Sequence, residues 1–133
     1  MIVLDASAAV EWLLVRDGAP AVADRLRDPD VSVHAPSLLG VEVAAALRGL
    51  VLGRHTTAAR ASIALTDLTS ADITLHDPTP LLARVWDLRN NLTPYDAVYV
   101  ALAEALDATL VTTDARIARS PGLSTQVDVV AAE

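Results

Sequence analysis

Short apolar runs alternate with longer amphipathic runs along the whole chain. The short runs are rich in β-branched residues and are bounded by polar or turn-forming residues, which predicts buried β-strands. The predicted strands are residues 2–4, 31–35, 71–75, 109–112 and 127–130. Because helical patterns separate these strands, the predicted fold class is α/β, a doubly wound parallel β-sheet of about five short strands with helices on both faces.

The longer runs show apolar residues at helical spacing. The predicted helices are residues 7–14, 16–29, 36–52, 53–67, 79–89 and 94–106, followed by a short helix that begins at Asp114. Thr93 is a good N-cap for the sixth helix, and Pro94 fits its first turn. The segment 36–52 contains almost no polar residues, so we expect this helix to be buried on most of its sides.

Three aspartates lie where strands end or helices begin. Asp5 follows the first strand, Asp114 follows the fourth, and Asp96 lies in the first turn after Thr93. In an open parallel sheet, functional groups gather outside the carboxyl ends of the strands, so we expect all three at one edge. The structural alternative is capping: Asp96 closes a capping box with Thr93, and Asp5 and Asp114 cap the helices that follow them.

Glu42 is a fourth candidate because of its surroundings. Its neighbours three and four positions away are all apolar, namely Leu38, Leu39, Ala45 and Ala46. No cation on the same helix reaches this carboxylate, and a buried unpaired charge costs several kcal/mol. Glu42 therefore requires a tertiary partner, a shifted pKa or a metal ion, and a distant arginine is the structural alternative.

Composition excludes several classes of function. The chain has 133 residues, of which 53% are hydrophobic, and we expect a single domain over residues 1–133. It has no cysteine and no lysine, which excludes disulfides, thiolate zinc sites, P-loops and Schiff-base chemistry. The glycines do not form a dinucleotide-binding loop. No apolar run is long enough to span a bilayer, and the N-terminus has no basic region typical of a signal peptide, so we expect a cytoplasmic protein.

A cluster of acids at one sheet edge has a clear chemical use. Two carboxylates about 5 Å apart repel by roughly 3 kcal/mol at an effective dielectric of 20, so we expect cations among them. Oxygen ligands without soft ligands favour Mg²⁺ or Mn²⁺, and such a site without a phosphate loop indicates water attack on a phosphodiester. The net charge of −7 weakens a nucleic-acid hypothesis, but bound ions would return part of this charge.

Four short motifs carry a family resemblance over the whole chain. They are Ile-Val-Leu-Asp5-Ala-Ser7, Pro36-Ser-Leu-Leu-Gly-Val-Glu42, Pro94-Tyr-Asp96-Ala-Val-Tyr-Val-Ala-Leu-Ala-Glu104 and Leu-Val-Thr-Thr-Asp114-Ala-Arg116. In this order and at these spacings, the chain resembles the PIN-domain ribonucleases, and most closely the VapC toxins of VapBC toxin–antitoxin pairs.

This resemblance implies a Mg²⁺- or Mn²⁺-dependent endoribonuclease. Asp5, Glu42, Asp96 and Asp114 match the acid quartet of the family, and Ser7 and Thr112 match its supporting hydroxyl residues. The resemblance also implies an RNA substrate, a VapB-type antitoxin and a homodimer. The candidate cations for gripping RNA are Arg16, Arg48, Arg84, Arg89, Arg116 and Arg119.

Two other functions remain open from the residues. Acid clusters do not distinguish ribose from deoxyribose, so a metal-dependent DNA nuclease is one alternative. The second is a non-catalytic acidic module that binds a basic partner. Trp12, Leu13 and Leu50 are candidates for the groove that receives an antitoxin helix, with burial in the core as the alternative for each.

Overall fold

A five-stranded, fully parallel β-sheet forms the centre of the protein in the computed structural model, which describes residues 1–130. The strands are β1 (Ile2–Leu4), β2 (Val33–Pro36), β3 (Thr74–His76), β4 (Thr109–Thr112) and β5 (Val127–Val129). Their order across the sheet is β3-β2-β1-β4-β5. The predicted α/β class and doubly wound parallel sheet are therefore confirmed.

Helices connect successive strands. They are α1 (Ala6–Leu13), α2 (Ala19–Leu26), α3 (Leu39–Leu52), α4 (Ala58–Ser70), α5 (Leu82–Asp87), α6 (Pro94–Leu106) and α7 (Ala115–Ala118), with a 3₁₀ turn at Thr79–Leu81 before α5. Neighbouring residues of a strand point to opposite faces, and Val3 and Leu4 are both fully buried. Both faces of the sheet are therefore covered at β1.

Two strands start later than predicted, and β5 ends one residue earlier, at Val129. We predicted residues 31–35 and 71–75, whereas β2 begins at Val33 and β3 begins at Thr74. Pairing explains the shift, since Ile2 at the start of β1 is opposite Val33, and His34 is opposite Thr74. The apolar pattern locates a strand, but the neighbouring strand decides where its ladder starts.

The prediction that the helix after β2 is buried on most sides is wrong. In α3 only Leu39, Val43 and Leu47 are buried, while Val41 and Leu52 are 75% and 65% exposed. The other positions of α3 are mostly alanine, glycine, valine and leucine, so the sequence shows no polar face. Because alanine and glycine are tolerated on either side of a helix, a hydrophobicity pattern does not reveal this one-sided burial. The helix also starts three residues later than predicted, at Leu39 rather than position 36.

The helix α6 is the most deeply buried of the described helices. All residues from Ala97 to Ala103 are buried, and the helix packs against β1, β2 and β4. A bidentate ion pair between Arg84 of α5 and Glu104 joins the two neighbouring helices, with nitrogen–oxygen distances of 2.9 and 3.0 Å. Among residues 1–130, no helix is long and apolar enough to cross a membrane.

Candidate active site

The chain changes direction across the sheet at β1. From β1 it passes to β2 on one side and later returns to β4 on the other side. Such a switch point opens a crevice outside the carboxyl ends of the two neighbouring strands, where ligands bind in open α/β sheets. Asp5 directly follows β1, and Thr112 is the last residue of β4. The topology therefore brings the ends of two predicted motifs to the same crevice.

Two hydroxyl groups hold the carboxylate of Asp5. Thr112 Oγ1 donates to Asp5 Oδ2 at 2.6 Å, and Ser7 Oγ donates to the same oxygen at 2.9 Å. Burial raises the pKa of Asp5 above its usual value, the two hydrogen bonds act in the opposite direction, and the charge of Asp96 raises it further. Although Asp5 is the N-cap of α1, its side chain makes no capping bond there. The structure therefore contradicts the capping alternative for Asp5.

The same hydroxyls also fix the loop after β4. The backbone N–H of Thr113 donates to Ser7 Oγ at 3.1 Å, and the N–H of Asp114 donates to Thr112 Oγ1 at 3.0 Å. Each hydroxyl therefore donates to Asp5 and accepts from the loop. This network links the end of β1 to the segment that carries Asp114.

Asp96 lies in the first turn of α6. The side chain of Thr93 accepts a hydrogen bond from the Asp96 N–H at 3.2 Å, so Thr93 is the cap and supplies one half of a capping box. The carboxylate itself is half-buried. Burial raises the pKa of Asp96, and the negative charge of Asp114 adds to this effect.

Glu42 projects from the first turn of α3. Its side chain is half-buried, and its Oε1 is fully buried without a hydrogen-bond partner among the described residues. Burial raises the pKa of Glu42, and the charges of Asp5 and Asp96 raise it further. The distant arginine that we considered as its partner is not present within residues 1–130, since no salt bridge involves Glu42.

Asp114 is in a different electrostatic situation. Its Oδ1 caps α7 by accepting the Arg116 N–H at 2.9 Å, as the capping alternative predicts. Both carboxylate oxygens also accept from the Arg116 guanidinium, with Nε–Oδ1 at 3.0 Å and Nη2–Oδ2 at 2.7 Å. Arg116 therefore holds the pKa of Asp114 below its usual value, and Arg119 contributes in the same direction.

The four acids differ in whether a positive charge compensates them. Asp5, Glu42 and Asp96 are buried or half-buried, repel one another and have no arginine partner in the part of the chain that the structure describes. Asp114 is paired with Arg116, and among the other three acids its charge raises the pKa of Asp96 alone. Within residues 1–130, no three acidic or histidine side chains approach closely enough to share one metal ion. The acids lie around one crevice, but their side chains do not form a closed ligand cage.

Tyr99 is a site residue that we did not predict. It is fully buried in α6, and its hydroxyl has no hydrogen-bond partner among the described residues. Burial and the charges of Glu42, Asp5 and Asp96 all raise the pKa of Tyr99, so the hydroxyl keeps its proton. The signal was the spacing: Tyr99 is three positions after Asp96 and therefore on the same helix face. The surrounding apolar run made it look like an ordinary core residue.

The residues of this crevice fit a hard divalent cation. The available donors are carboxylate and hydroxyl oxygens, which Mg²⁺ and Mn²⁺ prefer. Three mutually repelling carboxylates gain from a positive charge between them. Among the described residues, Glu42 Oε1 is a buried carboxylate oxygen without a partner, and the buried Tyr99 hydroxyl beside the acids also lacks one.

Family comparison agrees with the fold. The PIN domain family model matches residues 2–123. The chain therefore belongs to the PIN-domain family.

Relatives within that family are VapC proteins. The chain is 39% identical to Ribonuclease VapC12 of Mycobacterium tuberculosis over 131 residues, which cover 98% of this chain and 100% of the relative. It is 40% identical to Ribonuclease VapC1 of the same organism over 129 residues, 96% of each chain. The predicted resemblance to VapC-type PIN domains is confirmed.

Solved structures show the same fold. VapC20 of M. tuberculosis, described as a sarcin-ricin loop cleaving toxin, superimposes with a TM-score of 0.67 at 13% identity, covering 95% of this chain and 99% of that one. A chain of VapBC2 from Rickettsia felis, bound to a promoter DNA fragment, gives 0.66 at 17% identity, with 96% and 98% coverage.

The difference between the three uncompensated acids and the paired Asp114 predicts opposite stability effects for two neutralising substitutions. Glu42→Gln removes a charge whose ionisation burial disfavours, so we expect the melting temperature to rise. Asp114→Asn keeps a capping side chain but removes the charged partner of Arg116, so we expect a small decrease in the melting temperature, because solvent screens this exposed ion pair. Thermal unfolding at pH 7.5 in the presence of a chelator measures both.

Proposed function

We propose that this chain is a cytoplasmic, Mg²⁺- or Mn²⁺-dependent endoribonuclease, the toxin of a type II toxin–antitoxin pair, folded as a single PIN domain. Asp5, Glu42, Asp96 and Asp114 are its catalytic and metal-binding acids, with Ser7 and Thr112 in support. The observation that carries the proposal is the group of three mutually repelling acids at the sheet switch point, beside two unpaired buried oxygens. The names of the relatives, which are ribonucleases, support RNA as the substrate.

Each residue has a specific task in this proposal. Asp5, Glu42 and Asp96 would hold the ion, and Asp114 would complete the set in competition with Arg116. Ser7 and Thr112 fix Asp5 through Oδ2, and neither of these two bonds is made to Oδ1. A divalent ion bound there supplies activation of water and stabilisation of the charge that develops on the phosphodiester.

Cleavage assays test the proposal directly. We expect the protein to cut total RNA with Mg²⁺ or Mn²⁺ and to lose this activity in chelator, because the ion both activates the attacking water and stabilises the charge that develops on the phosphodiester. Single changes at the acids, for example Glu42→Gln, should lower the rate at least about 100-fold. Asp30→Asn is the matched control, since Asp30 is an exposed acid outside the crevice.

The same assay with single-stranded DNA separates the alternatives. Cleavage of DNA without cleavage of RNA would favour the DNA nuclease. A folded protein that cleaves neither polymer with Mg²⁺ or Mn²⁺ would favour the acidic binding module and contradict the proposal.

The candidate arginines are not equally available for RNA. Arg16, Arg84 and Arg116 form ion pairs with Glu11, Glu104 and Asp114 respectively. No ion pair within residues 1–130 involves Arg48, Arg89 or Arg119. Arg119 is exposed and close enough to lower the pKa of Asp114, so it is the best candidate for a phosphate contact beside the acids.

Arg119→Ala should therefore weaken RNA binding more than catalysis. We expect a several-fold increase in KM with a smaller change in kcat, and a reduction of about one in the slope of log affinity against log salt concentration, because one phosphate contact is lost. Arg27→Ala is the control, since Arg27 is an exposed arginine at the end of α2. Equal effects of the two substitutions would contradict a local role for Arg119.

A VapB-type antitoxin is the proposed protein partner, as the VapBC2 complex from R. felis suggests. Of the three apolar candidates for its groove, Leu13 is buried in the core, so its proposed surface role is wrong. Trp12 and Leu50 are half-buried, and Trp12 lines an apolar cavity of about 320 Å³ with Leu26 and Ile73. This cavity is the preferred candidate surface. The predicted homodimer remains a prediction.

Growth experiments test the toxin role. Expression of the wild-type chain should arrest growth, because an unrestrained ribonuclease degrades cellular RNA. Co-expression of the small open reading frame adjacent to its gene should restore growth. Glu42→Gln, which keeps the fold, is the control and should be harmless. A wild-type chain that cleaves RNA in vitro but does not impair growth would leave a PIN-domain nuclease without the toxin role.

A further inference from the structure

The Tyr99 hydroxyl is an unusual feature of the core. The residue is 0% exposed, and its oxygen has no hydrogen-bond partner among the described residues. A buried hydroxyl without a partner destabilises the folded state, whereas a phenylalanine in the same position would avoid this cost. The packing of α6 therefore explains the ring of Tyr99 but not its oxygen.

The position of Tyr99 relates the hydroxyl to the acids. Tyr99 and Asp96 are three residues apart in α6 and share a helix face. This helix packs against β1 and β2, the strands that precede Asp5 and the helix of Glu42. The charges of Glu42, Asp5 and Asp96 all act on the hydroxyl and raise the pKa of Tyr99 beyond the effect of burial. The hydroxyl is therefore a permanent hydrogen-bond donor beside the acid cluster.

Glu42 lacks the kind of partner that Tyr99 could provide. Its Oε1 is a buried acceptor without a donor, as Tyr99 is a buried donor without an acceptor. The two groups are close enough to affect each other, since the Tyr99 hydroxyl lowers the pKa of Glu42 against the larger effect of burial. The Tyr99 hydroxyl is the neighbouring donor that acts on the Glu42 carboxylate, although neither buried oxygen has a partner within residues 1–130 that meets the full criteria of a hydrogen bond.

We propose that Tyr99 is a positioning residue for Glu42: its hydroxyl donates to one carboxylate oxygen and thereby directs the other oxygen towards the divalent ion between the acids. This inference rests on the proposed metal-dependent function. Groups that orient a metal-binding carboxylate in this way typically alter metal affinity about 10- to 100-fold. Tyr99 itself does not contact the ion or the substrate.

Tyr99→Phe is the direct test because it removes only the oxygen. In chelator we expect an unchanged or higher melting temperature, since a buried unpaired group is lost. Mn²⁺ affinity, measured by electron paramagnetic resonance of the free ion, should fall about 10-fold. Tyr95→Phe is the matched control: Tyr95 lies in the same helix turn as Asp96 but is 64% exposed, so its loss of hydroxyl should change neither quantity.

A second comparison assigns the effect to Glu42. In a Glu42→Gln background, Tyr99→Phe should cause no further loss of Mn²⁺ affinity, because the carboxylate that it positions is already gone. Cleavage by the single variant Tyr99→Phe should recover partly at high Mn²⁺ concentration, and a melting temperature in chelator that is not lowered would show that this recovery is not a rescue of stability.

The possible failures are distinguishable. Wild-type protein that binds no Mn²⁺ would overturn the proposed metal-dependent function, and this inference with it. Wild-type protein that binds Mn²⁺, together with a Tyr99→Phe protein that binds it equally well, would overturn only the role of Tyr99. Equal losses of affinity with and without the Glu42 carboxylate would show that Tyr99 acts through another group.

Discussion

The hydrogen bond from Thr112 to Asp5 joins the two strands on which the site depends. It connects the carboxyl ends of β1 and β4, which are adjacent in the sheet but 107 positions apart in the chain. Ser7 donates to the same carboxylate oxygen, and both hydroxyls accept from the loop that leads to Asp114. A negative charge buried at a strand end is stable only with such donors, so the sheet, the loop and the orientation of Asp5 depend on one another.

Charge repulsion is the second constraint. Burial raises the pKa of Asp5, Glu42 and Asp96, the charge of Asp96 raises that of Asp5 further, and the charges of Asp5 and Asp96 raise that of Glu42. Like charges in a partly buried site repel one another more strongly than in water, because the effective dielectric is lower there. The fold supplies a bidentate arginine to Asp114 but none to the other three acids within residues 1–130. The uncompensated charge is therefore concentrated in the deepest part of the crevice, where an incoming cation gains most.

The fold was predictable because the signals are local. The β-branched runs that became β1 and β4 are bounded by Asp5 and Thr113, and Thr93 and Pro94 mark the start of α6 in the sequence and in the structure. The strand bounds of β2 and β3 were not predictable from their own residues, since pairing with β1 decides where β2 starts and pairing with β2 decides where β3 starts. For α3 the pattern misled, because a helix rich in alanine and valine looks buried on every side.

The candidate site was only partly predictable for a related reason. Helix and strand ends indicate which elements carry Asp5, Asp96 and Asp114, but they do not tell which charges are compensated. The ion pair between Asp114 and Arg116 depends on the backbone of a short helix, where the cap and the guanidinium share one carboxylate. Tyr99 needs tertiary packing to be noticed, because only the packing of α6 against β1 and β2 brings this core tyrosine near the charges of Glu42 and Asp5.

Arg116 and Tyr99 are both neighbours of the acids, but they affect the negative charge of the site differently. Arg116 is largely exposed and neutralises the outer carboxylate with a positive charge that solvent partly screens. Tyr99 is buried and brings only a dipole, which can orient a carboxylate without cancelling its charge. A positively charged side chain at the depth of Glu42 would neutralise the carboxylates and leave no need for a metal ion there. A neutral donor leaves their negative charge in place. The placement of a charged residue at the rim and a neutral donor in the interior therefore leaves the interior acids short of positive charge.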